Sequence, residues 1–155
     1  MSITIPDGVT SIGDGAFSGC YKLANVTIPN SITNIGIDAF RGCSYSLFDT
    51  ATIPGVKLVD GWAVGYTDSL PAQLDLTGVR GIGRNVFSIN DEITSVTIGN
   101  SVTSIGDFAF QSCYDLTSVT IPDSVRSIGN DAFANCTSLE SVTITSNGGN
   151  ATEVQ

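Results

Sequence analysis

The feature that most constrains this chain is a repeat. The triplets Thr4-Ile5-Pro6, Thr27-Ile28-Pro29, Thr52-Ile53-Pro54, Asp75-Leu76-Thr77, Thr97-Ile98-Gly99, Thr120-Ile121-Pro122 and Thr143-Ile144-Thr145 align, with their apolar centres 23, 25, 23, 22, 23 and 23 residues apart. From Ile98 the inward-type residues run Val102, Ile105, Ala109, Phe110, Cys113, Leu116 and Val119, and Ile5 and Ile121 open the same run. One such unit cannot close a core. Stacked units make a continuous one, and a period of 20–29 residues suits a leucine-rich type of coil.

Local chemistry fills in each unit. Val-Thr-Ile alternates in, out, in, as a short strand does. A following Pro cannot donate to a ladder and ends it. The Ile-Gly pairs at Ile12-Gly13, Ile35-Gly36, Ile105-Gly106 and Ile128-Gly129 mark a second bend, where glycine is expected to supply positive φ. The segment Asp131–Cys136 and its equivalents read as a short helical or 3₁₀ turn begun by an aspartate cap. The expectation is a β-rich solenoid, a right-handed coil of about six repeats over residues 1–145, with a flexible polar tail at 146–155. Strands about 4.8 Å apart give it a length of roughly 30 Å.

The unit Leu116-x-x-Val119-Thr120-Ile121-Pro122-x-x-Val125-x-x-Ile128-Gly129-x-x-Ala132-Phe133-x-x-Cys136-x-x-Leu139 resembles the BspA-type leucine-rich repeat. The likeness runs through nearly the whole chain, to about Thr145. It implies a module of a large bacterial or protist surface protein, extracellular or at the cell surface, with adhesion to proteins or other cells as its work.

One unit departs from the pattern. Over about 50–74 the Ala-Phe and Cys places hold Val64-Gly65 and Asp68. Asp60-Gly61 between alternating apolar runs signals a hairpin. Its strands are expected at Lys57–Val59 and Trp62–Tyr66, protruding or at an edge, and they carry the chain's one Trp. Trp62 and Tyr66 then have two readings. They close the core locally, or they offer an aromatic anchor to a protein or glycan. The outward column Thr4, Thr27, Thr52, Asp75, Thr97, Thr120 and Thr143 is a second candidate face. It would bind by breadth, with Thr27, Thr97 and Thr120 as its representative contacts, although Thr also simply favours strands.

Other chemistries are poorly served. The chain has no His, which removes the commonest general base and most zinc sites. No Gly-rich phosphate loop is present. Asp91-Glu92 is the one adjacent acidic pair and reads as a solvated turn. An enzyme is not expected, nor is a cofactor. Asp14, Asp38, Asp107 and Asp131 recur just before Ala-Phe. Calcium could use them, but capping accounts for the same residues. Cys20, Cys43, Cys113 and Cys136 share one repeat position, which stacks them in a column. A rung lies within disulfide reach, but parallel Cβ vectors favour buried free thiols. Sequons at Asn25, Asn135 and Asn150 are what a Ser/Thr/Asn-rich repeat produces by chance.

The net charge is −9, with 6 scattered basic residues against 15 acidic ones, so nucleic acid is a poor partner. No apolar run approaches the roughly 20 residues of a membrane helix, and no membrane insertion is expected. Neither end shows a polar cap, which predicts end-to-end self-association. A passive spacer is the alternative to a binding module.

Overall fold

In the computed structural model the chain is a β-solenoid of stacked turns with almost no helix; residues 1–146 and the backbone of 151–154 are described. Each regular turn contributes two short strands on different sides of the coil. The longer ones are β1 (Ser2–Thr4), β3 (Asn25–Thr27), β7 (Gln73–Leu76), β9 (Ser95–Ile98), β11 (Ser118–Pro122) and β13 (Ser141–Thr145). The shorter ones are β2 (Ser11–Ile12), β4 (Asn34–Ile35), β8 (Gly81–Ile82), β10 (Ser104–Ile105) and β12 (Ser127–Ile128). Between successive turns these strands pair parallel and in register, as in Ser118↔Ser95, Val119↔Val96 and Thr120↔Thr97. Equivalent residues therefore stack, and the buried Val96, Val119, Ile105 and Phe110 lie above their repeat partners. A parallel sheet with one face in the core needs this regular inward and outward alternation, which the Ser-Val-Thr-Ile strands supply.

The irregular unit breaks the stack into two. The longer strands form one sheet of β1 and β3 and another containing β7, β9, β11 and β13, with no strand from the third turn between them. Thr52, expected on a strand, lies in a turn instead. The carboxylate of Asp49 accepts from the backbone N–H groups of Ala51 and Thr52 at 2.9 and 3.0 Å and from the Thr52 hydroxyl at 2.5 Å. That local bonding holds the segment out of the ladder.

In place of the missing strand stands the hairpin, β5 (Val56–Val59) and β6 (Trp62–Tyr66), joined antiparallel. Asp60 and Gly61 both take positive φ, at 47° and 80°, as a tight two-residue hairpin turn requires. The hairpin does not protrude. β6 pairs parallel with β8, so it fills the third turn's place in the second sheet. Its two faces enter two cores. Val56, Leu58 and Ala63 join the apolar cluster of the later turns, while Val59, Trp62 and Val64 join that of the first two turns. The hairpin is a partition wall.

Its turn is stitched to both sides. The Asp60 carboxylate accepts from the Ile28 N–H at 2.6 Å and pairs with Arg80 at 3.2 Å. Arg80 in turn donates to the carbonyls of Asp60 and Ile28 at 2.9 and 3.0 Å and to Asn30 at 2.9 Å. On another side the second and fourth turns touch directly, the Arg84 N–H donating to Ile35 O at 2.8 Å. The Arg84 side chain reaches Asp14 at 3.2 Å and Asp107 at 3.6 Å, spanning the seam.

Several local expectations are corrected. The glycines after Ile12, Ile35, Ile105 and Ile128 do not have positive φ. At Gly36, Gly106 and Gly129 glycine is needed because the preceding turn lies too close for a side chain, whereas Gly13 has open space. A Cβ on Gly106 would sit 2.7 Å from the Arg84 nitrogen, and Gly36 and Gly129 are tighter still. Positive φ falls elsewhere, at Gly15, Asp38, Asn85, Phe108 and Asp131. Asp131–Cys136 is a chain of turns, not a helix begun by a cap, and among the described residues the one 3₁₀ element is Tyr45–Leu47. Residues 151–154, expected within a flexible tail, form β14 antiparallel to β13 (Val142↔Val154 to Thr145↔Ala151). The edge of β13 recruits it, since an open edge offers unpaired N–H and C=O groups. Residues 147–150 and 155, and with them Asn150 of the sequon, lie outside the described residues. The last turn still leaves Ile128 and Ile144 at 49% and 44% exposure.

Candidate functional site

The conserved geometry of the turns places one ring per turn in a stack. Phe17 and Phe40 lie 5.4 Å apart and within 8° of parallel. Phe87 and Phe110 stack at 5.1 Å, and Phe110 and Phe133 at 5.2 Å. The third turn contributes Tyr66, 6.3 Å from Phe87. Between Phe40 and Tyr66, among the described residues, no stacked pair continues the column. The ladder is broken at the seam, and Tyr66 is the open end of its second half.

A cleft of 320 Å³ lies at that break. Phe40, Cys43, Phe48, Val64, Gly65 and Tyr66 line its interior, and Asp38, Arg41, Tyr45 and Lys57 stand at its rim. Each comes from an irregularity. Tyr45 projects from the 3₁₀ turn Tyr45–Leu47, which Ser44 caps by accepting from the Ser46 N–H, and the residue is 90% exposed. The Lys57 ammonium lies 5.4 Å from the Phe48 ring. Arg41 pairs with Asp38 at 3.4 Å, both well exposed. Burial, then the neighbouring Cys20, pushes the Cys43 thiol up from its ordinary value, so it lines the wall as a neutral group. It donates to Phe17 O at 3.1 Å.

The sequence candidates fare differently. Tyr66 is half-buried in this cleft. Trp62 is 2% exposed, so the reading of Trp62 as a surface anchor is corrected. Its indole lies across Gly81, where a Cβ would fall 2.5 Å from Cη2. It also lines a second hollow of 370 Å³, with Asn30, Ile32, Arg80, Ser101 and Thr103. There Arg80 is already occupied by Asp60, Ile28 and Asn30, which leaves little charge for a ligand. Thr97 and Thr120 are register neighbours on β9 and β11, whereas Thr27 stands with Thr4 on the separate β1–β3 sheet. The structure therefore does not bring the three threonines into one column.

The acidic and thiol candidates resolve into bonding between turns. Asp14 and Asp107 occupy one repeat position, and each accepts the N–H of the residue one turn on, Ile37 at 2.8 Å and Asn130 at 2.7 Å. Asp38 and Asp131 occupy the next position, at positive φ. Glu92 accepts from Leu70 N–H at 2.8 Å and anchors the loop after the hairpin. All four cysteines are free, and burial drives the Cys113 thiol up to about 11. Tyr45, Phe48, Lys57 and Arg41 escaped the sequence reading. Their signal is the segment Cys43–Thr50, which holds two aromatics where a regular unit has its Leu-x-x-Val.

The model of the BspA type leucine rich repeat region matches residues 1–58 and 73–153 in six copies. It passes over 59–72, which contains β6. A leucine-rich repeat protein of T. pallidum is 30% identical over 91% of this chain and 57% of its own, with a TM-score of 0.43. One from Eubacterium ventriosum is 18% identical over 94% and 60%, with a TM-score of 0.54. The pneumococcal vaccine antigen PcpA is 17% identical over 94% and 51%, with a TM-score of 0.50. This chain thus spans less than two-thirds of each of those chains. No curated protein matches it in sequence.

Proposed function

The chain belongs to the BspA-type leucine-rich repeat family, and on that footing we propose that it is a binding module, without catalysis, of a bacterial-type surface protein whose partner is a protein or a glycan. The observation that carries this reading is the cleft at the seam. A solenoid built by repetition presents the same groups at every turn. Here one turn departs from the pattern, and four aromatic side chains and two cations gather around one hollow at the departure. Its 320 Å³ falls at the lower end of the roughly 300–1,000 Å³ usual for ligand sites. It suits a side chain or one sugar unit of a larger partner. Aromatic and arginine groups are those that dominate binding energies at interfaces.

The threonine face is the weaker site. Thr27, Thr97 and Thr120 are small and spread over two sheets. Surface location is part of the proposal and comes from the family likeness; the pneumococcal protein is described as a vaccine antigen. End-to-end association of two copies is proposed as a secondary contact, favoured by the exposed Ile128 and Ile144.

The test is binding of the folded chain to an array of matrix proteins and glycans, with Lys57→Glu set against the pair Thr97→Lys and Thr120→Lys. A hit weakened by the first and not by the second supports the cleft. A hit weakened only by the second moves the site to the threonine face. A blank from a folded sample removes the binding reading in favour of a passive spacer.

A further inference from the structure

Resting on the binding reading above, we infer that the cleft receives an aromatic side chain, tyrosine or phenylalanine, from an acidic segment of a partner polypeptide. The argument begins with the ladder. Tyr66 stacks on Phe87 at 6.3 Å, and among the described residues no second ring stacks on it. The column of rings elsewhere repeats at 5.1 to 5.4 Å. A ring from outside that entered beside Tyr66 would extend the second half of the column towards Phe40. Offset stacking at 4.5–7 Å between centroids is the favoured geometry of such pairs.

The inner wall suits a flat ring. Phe40, Phe48 and Val64 offer it apolar surface, while Asp38, Arg41, Tyr45 and Lys57 supply polar groups at the rim. A sugar seated against that inner wall would leave hydroxyls there without hydrogen-bond partners, which is costly. A phenyl or phenol ring brings at most one, and Tyr45 and Lys57 stand at the rim where a phenol oxygen would emerge.

The rim selects the charge of the flanking residues. The chain carries 6 basic residues against 15 acidic ones, yet Arg41 and Lys57 both border this cleft. The acid at the same rim, Asp38, is paired with Arg41. The Lys57 ammonium rests over Phe48 and pairs with no carboxylate among the described residues, so a carboxylate beside the incoming ring would find a cation. A basic flank would meet Lys57 and Arg41 with like charge.

The experiment is a titration of the whole chain followed by amide chemical shifts. The probe is a hexapeptide with one tyrosine between glutamates. Controls replace the tyrosine with leucine, or the glutamates with lysine, and methyl glycosides of common hexoses form a further arm. The acidic tyrosine peptide should saturate shifts at Lys57, Gly65 and Tyr66. The leucine peptide should bind at least fivefold more weakly and the lysine-flanked peptide at least tenfold. Lys57→Glu should reproduce the tenfold loss with an unchanged melting temperature. Gly65→Val should block the cleft from its floor without touching the Phe87 stack, which covers the case in which a Tyr66 variant fails to fold. Equal affinity for the tyrosine and leucine peptides, or no saturable shift at these residues, overturns the inference. Glycosides that shift the same amides while the peptides do not also overturn it, yet sustain the binding reading. Only a blank on the partner array removes both.

Discussion

Gly13 and Gly106 occupy the same place in their repeats and differ in what lies beside them, which makes a controlled experiment. At Gly106 an added Cβ would lie 2.7 Å from the Arg84 nitrogen, 2.7 Å from the Gly83 carbonyl carbon and 2.9 Å from its oxygen. Ordinary carbon contacts are about 3.5–4.0 Å, so two turns of backbone must separate by close to 1 Å. Overpacking of that kind costs about 1–3 kcal/mol. At Gly13 nothing lies within 4 Å of the same Cβ, and φ is not positive. Alanine there should be neutral or gain about 0.4–1 kcal/mol by restricting the unfolded chain. The expected gap between Gly106→Ala and Gly13→Ala is therefore about 1–4 kcal/mol. In thermal unfolding each kcal/mol is worth roughly 2–4 °C for a chain of this size. Gly13 lies in the first turn, where fraying could hide damage. Gly129 controls for that, because it lies in the last described full turn yet faces Asp107 more closely than Gly106 faces Arg84. Gly129→Ala should lower the urea midpoint and Gly13→Ala should not. Equal damage at all three would mean that something other than turn-to-turn approach selects glycine, and the account of the coil given above would be wrong.

Other outcomes follow from the seam and the thiols. Gly81→Ser restores the residue type of the neighbouring turns but places a side chain into the Trp62 indole, and it should cost about 1–3 kcal/mol. Trp62→Ala should cost about 3–5 kcal/mol, and the double variant less than the sum, read from a cycle of denaturant midpoints. Arg80→Lys keeps the charge but loses the fork that holds Asp60, Ile28 and Asn30. A loss of about 1–2 kcal/mol is expected, with faster amide exchange at Ile28 if the hairpin turn loosens. The Cys113 thiol is raised to about 11 from an ordinary 9.0, chiefly by burial. A raised folded value means that the unfolded chain loses its proton first. The contribution is complete below pH 9 and is lost as the pH rises from 9 to 11, by about 2–3 kcal/mol, visible as a falling midpoint over that window. Cys113→Ser should flatten the decline, and an unchanged slope would remove burial of this thiol as its cause.

What could be read from the sequence was what repeats. A 23-residue period with fixed apolar places dictates parallel strands in register, because only stacking buries every Ile, Val and Phe at once. The hairpin was legible too, since Asp60-Gly61 is a local signal that needs no partner, and its strands fall at Val56–Val59 and Trp62–Tyr66. Its location was not legible. Pairing of β6 with β8 is a choice made over some twenty residues of separation, and the clue is a single Gly81 where the neighbouring turns have Ser104 and Ser127. Tyr66 was legible as a candidate anchor, but its place in the ring column escaped for a related reason. It stands 26 residues after Phe40 and 21 before Phe87, off the period, although it takes the ring's place in space. The aspartates were merged because Asp14 and Asp38 differ by one position in their units, and one position separates accepting an amide from adopting positive φ.

The seam also explains why a site is found there and not along the rod. In the regular turns every inward place is filled by the turn above and below, so no cavity can open without removing a repeat residue. The third turn removes a strand and gives the wall to a hairpin whose two faces must serve two cores. Where those cores meet, the ring column cannot pass through the wall, and the space that a ring would fill becomes the cleft beside Tyr66. The energy to keep it open comes from bonds outside it. Asp60 and Arg80 tie the hairpin turn to the second turn, Arg84 joins Asp14 to Asp107 across the same break, and Trp62 fills the gap over Gly81. A site tied from outside in this way is formed before any partner arrives, and preorganisation of that kind lowers the entropy lost on binding. It follows that variants at Asp60 or Arg80 should weaken binding at the cleft without touching a ligand, and that their effect should shrink when the hairpin is held by a partner.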